Sequence, residues 1–80
     1  MVDLFNITLD GNIIECDYIP EKSGKTGHVS VDVNSEEIKE VSYSDYEYGK
    51  KMYTAHVRSK LMQLWHSNEP IPKEATAVWY

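Results

Sequence analysis

The sequence predicts an α+β domain in which one long helix packs on one face of a mostly antiparallel sheet of four to five strands. Apolar residues alternate with polar ones through the first half of the chain, which is typical of half-buried strands. A helical pattern covers residues 44–66, and a short apolar segment follows at residues 75–80. The predicted order is therefore β-β-β-β-α-β, in a single domain that covers residues 1–80.

The first two strands form a predicted hairpin around the turn sequence Asp10-Gly11-Asn12. The turn can centre on Asp10 and Gly11 or on Gly11 and Asn12. We favour the second choice because it places an apolar residue opposite an apolar residue at every inward position of the ladder. The expected cross-strand pairs are Leu9–Ile14, Ile7–Cys16 and Phe5–Tyr18.

The next two strands are joined by a short turn. Residues 21–27 form a polar loop, and the third strand follows at residues 28–33. Its inward residues are Val29, Val31 and Val33. Residues 38–43 form the predicted fourth strand. The alternative is a helical turn that begins at Asn34, because Asn34 and Glu37 have the spacing of a capping box.

The helix has a well-marked beginning and end. Ser44 and Glu47 form a capping box, in which the serine oxygen accepts a backbone N–H and the glutamate reaches back to the cap. The helical pattern continues to about His66, and Asn68 and Pro70 end it. Such a helix of about 23 residues is roughly 35 Å long, whereas strands of about six residues reach roughly 20 Å. We therefore expect the helix to extend beyond the sheet.

The apolar segment at residues 75–80 is the predicted last strand. It can lie antiparallel beside the first strand or parallel beside the fourth strand. We favour the antiparallel arrangement beside the first strand.

The helix has two apolar faces when its residues are placed at about 100° per step. The face expected on the sheet consists of Tyr46, Tyr53, Val57, Leu61 and Leu64. The second face lies nearly opposite and consists of Tyr48, Met52, Ala55 and Met62. A helix on a single sheet needs only one apolar face, so we expect the second face and Trp65 to contact a second subunit or another protein. The alternative is that the chain folds back over these residues.

The segment Gly24-Lys25-Thr26 has the letters that end a phosphate-binding P-loop. A P-loop also needs a glycine five residues before Gly24, where this chain has Ile19. It further needs a helix after the lysine, because the helix N-terminus meets the phosphates. Here residues 28–33 have the pattern of a strand, so we expect a polar loop between two strands.

Few other residues are candidates for chemistry. Cys16 falls on the inward face of its strand, which is typical of a buried structural cysteine. The three histidines lack the spacing of metal ligands. A polar pocket around His56 and Tyr53, between helix and sheet, is the remaining candidate. We predict no catalytic residue, no metal ligand and no cofactor.

The composition bounds the class of protein. A net charge of −5 argues against nucleic-acid binding. No apolar stretch approaches the roughly 18 residues of a membrane span, and the first residues lack a signal-peptide pattern. The single cysteine suits a reducing compartment. We expect a cytoplasmic, non-catalytic protein that acts through protein–protein contacts, as a homodimer or with another protein. One alternative is a small-ligand binder or minor enzyme that uses the pocket. Another is an acidic regulator that competes with nucleic acid for a basic protein, although the outward strand positions mix acids with Lys39, Ser30 and His28.

Overall fold

The computed structural model describes residues 1–47 and 52–79 and has an α+β fold. Five strands form one antiparallel sheet in the order β4-β3-β2-β1-β5, and the helix packs on one of its faces. The elements are β1 (Val2–Asp10), β2 (Ile13–Pro20), β3 (Gly27–Asp32), β4 (Ile38–Ser42), a 3₁₀ turn (Asp45–Glu47), α1 (Met52–His66) and β5 (Ala75–Ala77). The predicted fold class and element order are confirmed.

The β1–β2 hairpin turns at Gly11 and Asn12, as predicted. Gly11 has a left-handed backbone with φ of 61°, which glycine adopts without steric cost. Leu9 lies opposite Ile14, again as predicted. Because Leu9 lies near the end of its strand, it is 40% exposed although its partner is buried.

A bulge in β1 changes the register farther from the turn. Asn6 has a left-handed backbone with φ of 53°, which asparagine tolerates better than most residues. The extra residue keeps Ile7 buried but places Leu4, rather than Phe5, opposite Tyr18. The predicted Phe5–Tyr18 pair is wrong for this reason, and Phe5 lies on the side of the sheet away from the core.

The third and fourth strands form as predicted. Val29, Val31 and Val33 are buried on the core side of the sheet. The turn after β3 is held by Asp32, whose carboxylate accepts the N–H of Asn34 at 2.8 Å and that of Ser35 at 3.3 Å. The chain then continues as β4, so the alternative of a helical turn at Asn34 is wrong.

β5 pairs antiparallel with β1, with Val2 opposite Ala77 and Leu4 opposite Ala75. The favoured pairing of the last strand is therefore confirmed. Trp79, just after β5, packs against the core. The core thus lies between α1 and the inner side of the sheet, and the C-terminal segment closes it along one edge.

The helix buries more of its surface than the pattern predicts. Val57 and Leu61 are fully buried, as expected for the face on the sheet. Met62 is also buried, with 5% exposure, and belongs to the same core. The expectation that Met62 lies on an exposed second face is wrong. Ile71, in the connection from α1 to β5, packs against the same core, so the helix is enclosed on more than one side.

The helix also begins differently from the prediction. Ser44 Oγ accepts the N–H of Tyr46 at 3.2 Å, and the Ser44 carbonyl accepts the N–H of Glu47 at 3.1 Å, which starts a 3₁₀ turn. The described helix, Met52–His66, has 15 residues and spans about 22 Å. The predicted helix also includes residues 48–51, which lie outside the described residues, so its extension beyond the sheet stays a prediction. The described part of the chain has no helix with the length and apolar character that a membrane crossing requires.

Candidate binding surfaces

An apolar patch lies at the C-terminal end of α1. Trp65, in the last turn, is 36% exposed, and Leu9, at the end of β1, is 40% exposed. Pro70 and Ile71 line the same depression, which has a volume of about 490 Å³. We call Leu9, Trp65, Pro70 and Ile71 the helix-end patch.

The chain beyond α1 is turned toward this patch by local hydrogen bonds. Ser67 Oγ donates to the Leu64 carbonyl at 2.8 Å and so occupies an acceptor at the helix end. Asn68 follows with φ of 60°, the left-handed conformation that commonly ends a helix. Ser67 Oγ also accepts the N–H of Glu69 at 3.3 Å. These bonds reverse the chain, so that Pro70 and Ile71 lie beside Trp65.

The residues of the predicted interface lie in different environments. Trp65 is exposed in the helix-end patch, and Ala55 is exposed on the helix. Met62 lies in the core. Tyr48 and the side chain of Met52 lie outside the described residues. Within the described residues, the predicted second face is therefore not one continuous apolar surface.

Tyr53 and His56, the residues of the predicted polar pocket, both contact Trp79. The His56 ring stacks on the indole with centroids 3.7 Å apart and planes inclined by 7°. Tyr53 meets the same indole edge-on at 5.6 Å. Sequence reasoning missed Trp79 because its place depends on the path of the chain after β5. The aromatic ending of the chain was the available signal.

Tyr53 is also connected to the polar loop that follows β2. Its hydroxyl donates to a carboxylate oxygen of Glu21 at 3.2 Å. Desolvation of the phenol and the negative charge of Glu21 raise the pKa of Tyr53 to about 12. The phenol therefore stays neutral at physiological pH and acts as a hydrogen-bond donor.

A polar groove of about 420 Å³ runs between α1 and the C-terminal segment. It is lined by His56, Ser59, Lys60, Gln63, Thr76, Ala77, Val78 and Trp79. Lys60 Nζ donates to Gln63 Oε1 at 3.3 Å, and Thr76 Oγ1 donates to Asp3 Oδ1 at 3.0 Å. Among the described residues of this lining none has a carboxylate side chain, and Ser59, Lys60 and Gln63 offer hydrogen-bond donors to a small polar molecule beside the indole.

A second polar cluster lies on the side of the sheet away from α1. His28 Nδ1 is 2.8 Å from Asp17 Oδ1, and His28 Nε2 is 3.4 Å from Glu15 Oε2. Asn6, at the bulge, donates to Asp17 Oδ2 at 2.9 Å. Both ring nitrogens of His28 thus face carboxylates. His28 connects β3 to β2 through the regular pairing of Asp17 with His28. The sequence predicted only a surface position for His28, and the bulge adds Asn6 to the cluster.

Two further candidates offer no chemistry. Cys16 is fully buried, as predicted, and burial with the nearby charges of Asp17 and Glu15 raises the pKa of its thiol to about 12. The loop around Lys25 leads into a strand, as predicted. The Lys25 carbonyl accepts the Ser44 hydroxyl at 2.6 Å, which ties this loop to the chain before the 3₁₀ turn.

The chain is a small antiparallel α+β domain, and its candidate binding surfaces lie at the end and along the flank of its helix. Among residues 1–47 and 52–79, no group of three or more His, Cys, Asp or Glu side chains is placed to hold a metal ion. Comparisons with protein-family models, with curated proteins and with solved structures give no match.

Proposed function

We propose that the protein acts through protein–protein contacts and that the helix-end patch is its contact surface. The observation that supports this is the joint exposure of Trp65 and Leu9 around one depression. Tryptophan contributes a large apolar area and one hydrogen-bond donor, and it is enriched among the residues that dominate binding energies. Contiguous exposed apolar residues are typical of interaction sites.

A second copy of the chain is the proposed occupant of this patch. The depression is lined by Leu9, Trp65, His66, Asn68, Glu69, Pro70 and Ile71. Among the residues of this lining, Glu69 has a carboxylate side chain. The lining is therefore less acidic than expected from the net charge of −5 of the whole chain. A contact between two copies here would bring together few carboxylates, namely Glu69 and Glu36, whose carboxylate lies 3.4 Å from His66 Nε2. A two-fold contact would bury the same apolar residues of both copies, which benefits a domain of 80 residues with a small core.

The test is sedimentation of the wild type and of Trp65→Gln over a range of micromolar concentrations. We expect a concentration-dependent dimer, and we expect Trp65→Gln to weaken it by about 30-fold, the equivalent of about 2 kcal/mol for a central tryptophan. The matched control is Val78→Gln, which removes a side chain that is 57% exposed outside the patch. A wild type that stays monomeric at every concentration contradicts the proposed occupant.

We also propose that this activity takes place in the cytoplasm. The single cysteine supports this, because a chain without a disulfide suits a reducing compartment. Localisation of a tagged chain by cell fractionation tests it. Recovery in a secreted or membrane fraction would contradict the proposal.

A small-ligand binder is the second candidate function. The stacking of His56 on Trp79 beside the polar groove favours it, because the ring pair forms a rigid wall next to Lys60 and Gln63. The test is a titration with small carboxylates and phosphates, monitored by the indole N–H resonances of Trp79 and Trp65. Binding in the groove would shift the Trp79 signal and leave the Trp65 signal unchanged. Equal shifts, or none, contradict this candidate.

A further inference from the structure

One face of the sheet is not covered by any described element. α1 packs on the inner side, where Val2, Leu4, Ile14 and Val29 are fully or almost fully buried. Strand residues alternate between the two sides, so their neighbours point outward. We call the side away from α1 the outer sheet face. Phe5, Ile13 and Ile19 lie on it and are half-buried among their strand neighbours.

The outer sheet face is strongly acidic. Its outward strand positions and the start of β5 carry Asp3, Asp10, Glu15, Asp17, Asp32, Glu40 and Glu74. The nearby cations are Lys22, His28 and Lys39. The helix Met52–His66 contains Arg58 and Lys60 and no acidic residue. The outer sheet face therefore carries more carboxylates than cations, whereas the charged side chains of the helix itself are cations.

The acidic face also has an apolar depression. At its β1–β5 end, a cavity of about 540 Å³ is lined by Leu4, Phe5, Ile19 and Ala75 together with Asp3, Glu74 and Thr76. The apolar side chains that point into it from the outer side are Phe5 and Ile19, and its carboxylates are those of Asp3 and Glu74. Lys22 Nζ lies 3.0 Å from Asp3 Oδ2. The depression thus already has one cation of the chain itself, the Lys22 ammonium group, beside one of its carboxylates.

We propose that the outer sheet face binds a basic, amphipathic segment of a partner protein. Apolar side chains of that segment would contact Phe5 and Ile19, and its lysines or arginines would face Asp3, Glu15 and Glu74. Charge complementarity selects this occupant, since phosphates would be repelled by the same carboxylates. Two outer sheet faces would repel each other for the same reason. This surface is separate from the helix-end patch, so the two proposals are tested independently.

The test uses a synthetic helical peptide with leucines on one side and lysines on the other, and a matched peptide with glutamate in place of lysine. Binding is followed by the backbone resonances of the labelled protein. We expect the basic peptide alone to bind, with the largest shifts at Phe5 and Ile19. Raising the salt from about 50 to 500 mM should weaken the binding, because exposed ion pairs are screened.

Single substitutions distinguish a site from a general attraction to a negative protein. Glu74→Lys reverses a charge at the rim of the depression, and Asp45→Lys makes the same change of net charge at the exposed 3₁₀ turn on the helix side. We expect Glu74→Lys to weaken binding by about fivefold and Asp45→Lys by less than about twofold. Phe5→Ser should weaken it as well, whereas Val78→Ser should not.

Four results would overturn the proposal. The first is that the basic peptide does not bind, and the second is that Glu74→Lys and Asp45→Lys weaken its binding equally. The third is that the resonance shifts are confined to the helix-end patch. The fourth is that the protein associates with itself in a salt-sensitive way and that this association excludes the peptide. The last result would show that a second copy, through its basic helix, is the occupant of the outer sheet face.

Discussion

Gly27 leaves space for the ring of Tyr18 at the start of β3. A Cβ atom at position 27 would lie 2.5 Å from carbon atoms of that ring. The ring has little freedom to move, because Tyr18 is fully buried and its hydroxyl accepts the Ser44 N–H at 3.0 Å. Gly27 is therefore required for its lack of a side chain, whereas Gly24 has a left-handed backbone with φ of 75° and open space around it.

The substitution Gly27→Ala tests this close approach. We expect it to lower the free energy of unfolding by about 2–3 kcal/mol, as an overpacked core site does. Gly24→Ala is the matched control and should cost about 1 kcal/mol, because it strains the backbone without a clash. Urea denaturation measures both. Equal losses at the two positions would contradict the packing explanation.

Met62 is the second residue whose environment decides its role. We expect Met62→Ala to lower the free energy of unfolding by about 2–3 kcal/mol, since it opens a cavity in the core. Gln63→Ala, at the exposed next residue, should change it by no more than about 0.5 kcal/mol. Denaturant unfolding followed by fluorescence measures the difference. A Met62→Ala variant with unchanged stability would mean that Met62 belongs to an interface after all.

At the scale of elements, the cluster on the outer sheet face connects β2 with β3 and with the bulge in β1. The hydrogen bond to Asp17 raises the pKa of His28 above its ordinary value of 6.5. The hydrogen bonds from Asn6 and His28 lower the pKa of Asp17 below its ordinary value of 3.8. His28 and Asp17 are therefore both ionised over a wider pH range in the folded state than in the unfolded chain, because the two pKa shifts move the limits of that range apart.

The sign of the pH dependence follows from the two shifts. The contribution of His28 to the free energy of unfolding is fully present below the pKa of about 6.5 that it has in the unfolded chain. It is lost as the pH rises through the higher pKa of the folded state. The contribution of Asp17 is present above about 3.8 and is lost as the pH falls through the lower folded pKa. We expect His28→Gln to reduce the free energy of unfolding more at about pH 5.5 than at about pH 8.5. His66→Gln is the comparison, because His66 lies on the exposed helix end and faces a single carboxylate, that of Glu36, at 3.4 Å. We expect a smaller effect there than at His28, which has two carboxylate partners. A reduction that is the same at both pH values would contradict the ion pair.

At the scale of the whole molecule, one layer of core residues holds the sheet and the helix together. β2 is the middle strand of the sheet, and Cys16 lies fully buried on its inner side. Two strands flank β2 on each side, so local fraying at the edges does not expose it. Exposure of Cys16 therefore requires the opening of the whole domain.

Thiol labelling measures this global opening. We expect Cys16 to react with a thiol reagent only through the unfolded state, so that the free energy from labelling equals that from urea denaturation. The raised pKa of about 12 further reduces the thiolate in the folded state. In the control, Ser59→Cys in a Cys16→Ser background should react at the rate of a free thiol, because Ser59 is exposed. Fast native-state labelling of Cys16 would show that the sheet opens locally.

Sequence patterns alone predict the fold class, the element order, the hairpin turn at Gly11 and Asn12, and the buried valines of the third strand. These features depend on local information, namely the period of apolar residues and the backbone preferences of turn residues. The end of α1 at His66 was predictable for the same reason. The exposure of Trp65 was predicted as well, and its side chain is 36% exposed.

The positions of the surfaces depend on contacts that form only in the folded chain. The bulge at Asn6 reverses the orientation of Phe5 and adds Asn6 to the cluster around His28. The path of the chain after α1 helps to enclose Met62 in the core and brings Trp79 onto His56. Each of these outcomes is a contact between residues distant along the chain, and a pattern of neighbouring residues contains no information about such contacts. The outer sheet face became a candidate binding surface for the same reason, because its carboxylates come from separate strands that only the folded sheet places together.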